Sequence, residues 1–444
     1  MMQSSDERCA LEREQVTIES LAHGGDAVAR LADGRTAFVP YACPGDTVVV
    51  QVTEDHGRWV RARIDHVVQA SADRVAPPCP YFGACGGCQW QHVAYATQLS
   101  AKRRILVDAL ARIGRVAQAS VAEMVPSPKE YGYRNKVELA VEPGPRGLVV
   151  GFRRFHTAEV LPIDACLLLP KKARKLPKSV GGALRFLASR GAHGIRRVSL
   201  RVSSRGEIAV DVWTSPGPFP RAAAARVLSE STGARTVTRT IVRGDPEKRD
   251  IAGVEVYSGG GLWRERLGGD EYGVSAPSFF QVNSQAAAML RDSALQLLQA
   301  DGTMRVADLY AGAGTFTLPI ARSAGETVAV EASRYALSDL RRNLEAAGLD
   351  ADVFPGDAAY ALPDLGHLDA ALVDPPRSGL SERMLSVLGD ARVRRVAYVS
   401  CDPATLARDV ERLTAKGYRA VRFVPVDMFP QTHHLETIAL LELE

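Results

Sequence analysis

The run Val396-Ala-Tyr-Val-Ser-Cys401-Asp-Pro reads as a buried strand that hands a single cysteine to its carboxyl edge. A thiol with an ordinary pKa of about 8.5 must be lowered or paired before it attacks as thiolate. Carbon 5 of a pyrimidine becomes nucleophilic only after a thiolate adds at carbon 6, so a cysteine beside a methyl donor points to C5 methylation. Once the methyl group is in place, the hydrogen on carbon 5 must leave as a proton, which demands a base. The segment Phe429-Pro-Gln-Thr-His433-His434-Leu-Glu436 offers Glu436 for that role, with His434 as the second candidate. Asp374-Pro-Pro-Arg377 closes an earlier apolar run, and its prolines hold the backbone so that Asp374 points inward, toward uracil N3 or the cationic end of a cofactor.

A methyl donor site is written in the same region. Asp308-Leu-Tyr310-Ala-Gly312-Ala-Gly314-Thr315-Phe follows a strand and opens a helix, and its glycines admit close approach of a ligand to the backbone. Glu331 ends the next strand, 17 residues beyond Gly314, where an acid holds a ribose hydroxyl pair. Asp357 ends a third strand and is placed to face an adenine amino group. Three such signals on successive strands favour S-adenosylmethionine (SAM) over NAD; the alternative is that Glu331 and Asp357 merely cap helices.

Cys79-Pro-Tyr-Phe-Gly-Ala-Cys85-Gly-Gly-Cys88, with Cys166 downstream, makes four soft ligands. One wide pair and one remote cysteine leave a [4Fe-4S] cluster and a zinc ion both open. The C-x₃-C-x₂-C spacing of radical chemistry is not met.

The elements that position these residues fall into three blocks, expected at 12–70, 71–267 and 268–444. Alternating positions from Gln15 to Val68, punctuated by Gly24-Gly25, Asp33-Gly34 and Pro44-Gly45, predict a small OB-like β-barrel. Arg30, Arg35, Arg61 and Arg63 would meet RNA phosphates there, or be solvated on a packing barrel. The middle block is mixed α/β, with a helical pattern from Tyr95 to Ile113 and a basic stretch, Lys171 to Lys178, that fits an RNA groove or a solvated face equally. From Met304 onward, strands alternate with helices as in an open, Rossmann-like parallel sheet, which binds ligands at its carboxyl edge.

Composition sets outer limits. The chain of 444 residues has a net charge of +4, which permits a nucleic-acid partner without requiring one. Its polar start lacks the core of a signal peptide, and no apolar run reaches the roughly 18 residues of a membrane span, so a cytoplasmic monomer is expected. In that compartment its seven cysteines are ligands or nucleophiles, not disulfides.

Over nearly its whole length the chain resembles the RNA 5-methyluridine methyltransferases, SAM-dependent enzymes of 23S rRNA or tRNA. The likeness rests on the barrel, the four-cysteine motif, Phe280-Gln281-Val-Asn, the glycine turn, Asp374-Pro-Pro-Arg, Ser400-Cys401-Asp-Pro and His434-Leu-Glu436. It implies a TRAM barrel, a central iron-sulfur domain with a [4Fe-4S] cluster on Cys79, Cys85, Cys88 and Cys166, and a methyltransferase domain. It also implies SAM contacts from Gln281, Tyr310, Glu331 and Asp374, with Cys401 as nucleophile and Glu436 as base. Thr315 stands where some members carry Asn, and Asp357 likewise. A 5-methylcytosine enzyme would carry a second cysteine where Arg377 stands. A non-catalytic iron-sulfur RNA-binding protein on a methyltransferase fold would have no need of Cys401, Asp374 and Glu436 together.

Overall fold

The computed structural model describes residues 13–116, 120–145, 147–244 and 250–444. Strands β1 (Arg13–Leu21), β2 (Ala27–Arg30), β3 (Thr36–Val39), β4 (Thr47–Asp55) and β5 (Trp59–Gln69) form a closed barrel in the order β1-β2-β3-β5-β4. The period-2 pattern decides which side faces in: Val48, Val50 and Val52 of β4 are buried and their neighbours are not.

The cysteine segment leads from the barrel into helix α1 (Tyr95–Arg112). Its buried face, Gln98, Lys102, Ile105, Leu106 and Leu110, does not join the middle block. Leu106 and Leu110 enter the core of the C-terminal sheet instead.

The middle block is a seven-stranded sheet of β6 (Lys136–Gly144), β7 (Gly147–Arg153), β8 (Val160–Pro162), β9 (Ile195–Val202), β10 (Ile208–Thr214), β11 (Thr236–Arg243) and β12 (Asp250–Ser258). Its order is β12-β11-β10-β9-β6-β7-β8. Helices α2 (Leu176–Ser189) and α3 (Arg221–Thr232) share its core through Val180, Leu184, Leu187, Ala224 and Leu228. A hairpin, β13 (Leu262–Leu267) and β14 (Asp270–Ser275), follows. Gly268 and Gly269 form its turn, so the boundary expected at 268 falls inside it.

The C-terminal block contains helices α4 (Ser284–Leu298), α5 (Thr317–Ser323), α6 (Arg334–Ala347), α7 (Ala358–Ala361), α8 (Glu382–Ala391) and α9 (Pro403–Thr414). Buried Asp339 of α6 accepts hydrogen bonds from the backbone amide and hydroxyl of Ser275 and from the Ser278 hydroxyl, which seats the β13–β14 hairpin on this block. The sheet is built from β15 (Arg305–Leu309), β16 (Glu326–Glu331), β17 (Asp352–Pro355), β18 (Ala370–Val373), β19 (Arg395–Ser400), β20 (Tyr418–Val426) and β21 (Glu436–Leu443). Its order is β17-β16-β15-β18-β19-β21-β20; the first five strands are parallel, and β21 runs antiparallel to both its neighbours. Near-continuous apolar strands such as Ala370–Val373 suit a sheet covered on both faces. Strand order reverses between β15 and β18, which opens a crevice beyond their carboxyl ends. Among the described residues no helix is long and apolar enough to cross a membrane.

Candidate active site

The crevice deepens into a cavity of about 990 Å³. Cys401, Glu436, Asp374 and Arg377 line it close to one another, together with Tyr310, Gly312 and Glu331 and all four of Cys79, Cys85, Cys88 and Cys166. A volume near the upper end of the range for small-ligand pockets, about 300–1,000 Å³, leaves room for more than one ligand.

Register brings the candidate nucleophile and the candidate base together. In the β19–β21 ladder Ser400 pairs with Thr437, so the next step places Cys401 opposite Glu436 across neighbouring antiparallel strands. Burial pushes the Cys401 thiol up to about 12, Glu436 adds to the rise, and Arg377 opposes it. Glu436 is buried; desolvation first and Asp374 second hold its carboxyl well above the ordinary range. Asp374, raised to about 7 by burial and by Asp308, completes a set of acids whose charged forms burial disfavours. His434 also faces the cavity, its ring 3.3 Å from the Arg377 guanidinium. Burial and its neighbour His433 drive it down to about 2, which makes it a feeble base. Asp402, next to Cys401, caps α9 by accepting from the amides of Ala404 and Thr405. The barrel reaches this turn directly, with His23 Nε2 3.3 Å from Asp402 Oδ2.

On the flank beyond β15, Tyr310 adopts φ +75°, unusual for a bulky residue and a mark of a backbone held for a purpose. Glu331 accepts from the Gly312 amide at 2.8 Å and from the Ser333 amide at 2.6 Å, leaving its carboxylate at the cavity wall. Gln281 and Thr315 line the same wall, with Asn135 Nδ2 donating to the Gln281 carbonyl at 2.8 Å. Two expected contacts stand elsewhere. Gly314 does not reach the cavity lining; a Cβ there would lie 2.7 Å from Leu318 and 2.9 Å from Leu340, so this glycine serves close packing behind the turn. Asp357 is also absent from the lining and caps α7, accepting from the Ala359 amide at 2.8 Å.

The four cysteines lie free of disulfides on one wall. Burial raises the Cys85 and Cys88 thiols to about 11 and about 12, and proximity to Cys166 pushes both in the same direction. Their sulfurs attract hydrogen-bond donors: the Gly87 amide lies 3.4 Å from Cys85 Sγ, and the amides of Leu168 and Leu169 donate to Cys166. Among the described residues no three His, Cys, Asp or Glu side chains converge tightly enough to hold a single metal ion.

Two residues of this cavity carry no sequence signal of their own: Arg134 and Phe279. Arg134 lies over the Phe429 ring at 6.0 Å, with its Nε buried and without a hydrogen-bond partner. Phe279 is largely exposed at the mouth.

Comparison with known proteins bears on this arrangement as a whole. The TRAM domain family matches residues 8–64, the methyltransferase small domain family residues 288–388, and the tRNA (uracil-5-)-methyltransferase family residues 364–444. The chain is 35% identical to an uncharacterized RNA methyltransferase of Gloeobacter violaceus, over 96% of each chain. It is 34% identical to the 23S rRNA (uracil(1939)-C(5))-methyltransferase RlmD of Dechloromonas aromatica, over 96% of this chain and 99% of that one. The chain belongs to the RNA 5-methyluridine methyltransferase family. Among solved structures of this family, the tRNA (uracil-54, C5)-methyltransferase of Pyrococcus abyssi in complex with S-adenosyl-L-homocysteine superposes with a TM-score of 0.75 at 27% identity, covering 96% of this chain and 100% of that one. The expected barrel and methyltransferase fold are thus both present.

Proposed function

We propose that this protein methylates carbon 5 of a uridine in RNA by covalent catalysis, with Cys401 as nucleophile and Glu436 as base. The observation that carries the reading is the register that sets Cys401 opposite Glu436 at the floor of one cavity, beside the glycine turn of a methyltransferase sheet.

SAM supplies the methyl group from the Tyr310–Glu331 flank. Cys401 adds to carbon 6 of the uridine and the ring's electron pair moves toward O4. Carbon 5 then takes the methyl group from SAM, which leaves as S-adenosylhomocysteine; Glu436, as carboxylate, removes the carbon 5 proton, and the C–H pair restores the 5,6 double bond and expels Cys401 as thiolate. A carboxylate of raised pKa suits that task better than His434, whose ring has lost nearly all basicity. With its thiol raised to about 12, Cys401 must lose its proton before it attacks, and Arg377 favours the anion.

The test is nucleoside analysis. RNA from a strain lacking the gene, incubated with the protein and labelled SAM, should gain 5-methyluridine at one site. The relatives at 34% identity make 23S rRNA the first RNA to try, and label in 5-methylcytidine instead would overturn the uridine reading.

Asp374 is the partner we assign to the cationic end of SAM, which gives a pH dependence with a definite sign. This carboxyl titrates near 7, so below that pH it is neutral and cannot pair with a cation. SAM affinity should fall about tenfold per pH unit below 7 and level off above it. Calorimetry at several pH values checks this, and Asp374→Asn should bind weakly with no such slope.

Cys79, Cys85, Cys88 and Cys166 are the ligands we assign to a [4Fe-4S] cluster. Four soft, half-buried donors lining one cavity, with amides aimed at two of the sulfurs, suit iron-sulfur ligation. No step of the methylation requires it. Protein prepared without oxygen should be brown, and Cys85→Ser should lose the colour, because a hydroxyl is a poor ligand for iron. Colourless protein with stoichiometric zinc would remove the cluster.

A further inference from the structure

The loop between β20 and β21, residues 427–435, sets where Glu436 enters the cavity. It is gripped from beneath by α1 and by the residues that follow Cys88. Tyr95, Gln98 and Lys102 recur along one face of α1. Lys102, fully buried, donates from Nζ to Asp427 Oδ1 at 2.6 Å and to the Phe429 carbonyl at 3.0 Å. The Tyr95 hydroxyl donates to the other oxygen of Asp427 at 2.9 Å. Gln98, also fully buried, makes a two-point clasp on Gln431: its Oε1 accepts from the Gln431 amide at 2.9 Å and its Nε2 donates to Gln431 Oε1 at 3.1 Å.

Gln431 is held from a third side, because its carbonyl accepts from the amides of Gln89 and Trp90 at 3.1 and 3.0 Å. Its φ is +71°, a conformation that a residue other than glycine keeps only where its surroundings over-determine it. A buried ion pair adds little net stability, since desolvation offsets attraction, so stability alone is a poor reason for the Lys102–Asp427 pair. What the pair and the clasp do supply is a fixed geometry for the residues that precede Glu436.

We infer that Gln98, Lys102 and Asp427 are positioning residues for the base: they hold the 427–435 loop so that Glu436 meets carbon 5, and they tie the base to the cysteine segment ending at Cys88. The inference rests on Glu436 being the base. Gln98→Leu keeps the bulk of the side chain and removes the clasp. SAM binding should stay within about twofold of wild type, while release of methylated RNA slows about 10- to 100-fold, the scale of a misplaced catalytic group. Label from SAM should accumulate on a denaturing gel as a protein–RNA adduct. In Gln98→Leu/Glu436→Gln, release should be no slower than in Glu436→Gln alone, because both changes act on one step.

If Gln98→Leu does not fold, Lys102→Met/Asp427→Asn, which removes both charges together, takes its place with the same expectations. Normal product release by the folded Gln98→Leu protein, or losses that simply add in the double variant, would overturn the positioning role while the base assignment stands. Normal turnover by Glu436→Gln would instead overturn the base assignment and this role with it.

Discussion

Cys401→Ala is expected to bind SAM as the wild type does and to transfer no methyl group at all. Cys401 follows β19, whereas Tyr310 and Glu331 follow or end β15 and β16, so its loss removes none of the residues assigned to the donor. Without addition at carbon 6, carbon 5 stays a poor nucleophile, and a covalent catalyst stripped of its nucleophile loses on the order of 10⁴- to 10⁶-fold in rate. Single-turnover assays with labelled SAM, alongside a binding titration, measure both halves. Methyl transfer by Cys401→Ala would refute the covalent mechanism, and loss of SAM binding would show that the residue serves the cofactor.

Glu436→Gln is expected to fail later. The amide keeps the shape of the side chain and removes the base, so addition and methyl transfer proceed but carbon 5 keeps its proton and Cys401 cannot leave. RNA bound covalently to protein and carrying the methyl label should build up toward one equivalent, with turnover lowered on the order of 10²- to 10⁴-fold. The buried neighbours Asp374 and Cys401 are both disfavoured as anions by Glu436 or by burial, so replacing the carboxyl leaves no new charge unpaired. A gel without the adduct, together with normal turnover, moves the base elsewhere.

Much of this site was legible because an alternating α/β sequence sends each strand's carboxyl end to the same edge. Tyr310, Glu331, Asp374 and Cys401 each follow or end such a strand and each reaches the cavity. What stayed hidden depended on contacts distant in the chain. The Cys401–Glu436 pairing requires β21 to lie next to β19, a register no local pattern encodes. Lys102 sits in Ala101-Lys-Arg-Arg104, where it reads like its solvated neighbours; its burial is decided by Asp427, 325 residues away. Asp357 and Gly314 have the right residue types at the right spacing, yet one is engaged in capping a short helix and the other lets two leucines close up. The block boundary expected at 268 falls in a hairpin turn, because Gly268 and Gly269 take the positive φ that such a turn needs.

The place of β21 bears on how the molecule is made. It slots between β19 and β20, both of which the ribosome delivers first. Through that interval two strands present bare edges, the usual invitation to aggregation, and neither can pair with the other at its final distance. Until β21 docks, Cys401 lacks Glu436, and on the proposed mechanism a nascent chain that captured an RNA could not let it go. Competence for the full cycle would then wait on the docking of this one strand. A chain stalled ahead of residue 436 is left not with a slower enzyme but with an unfinished sheet and a cysteine that has no exit.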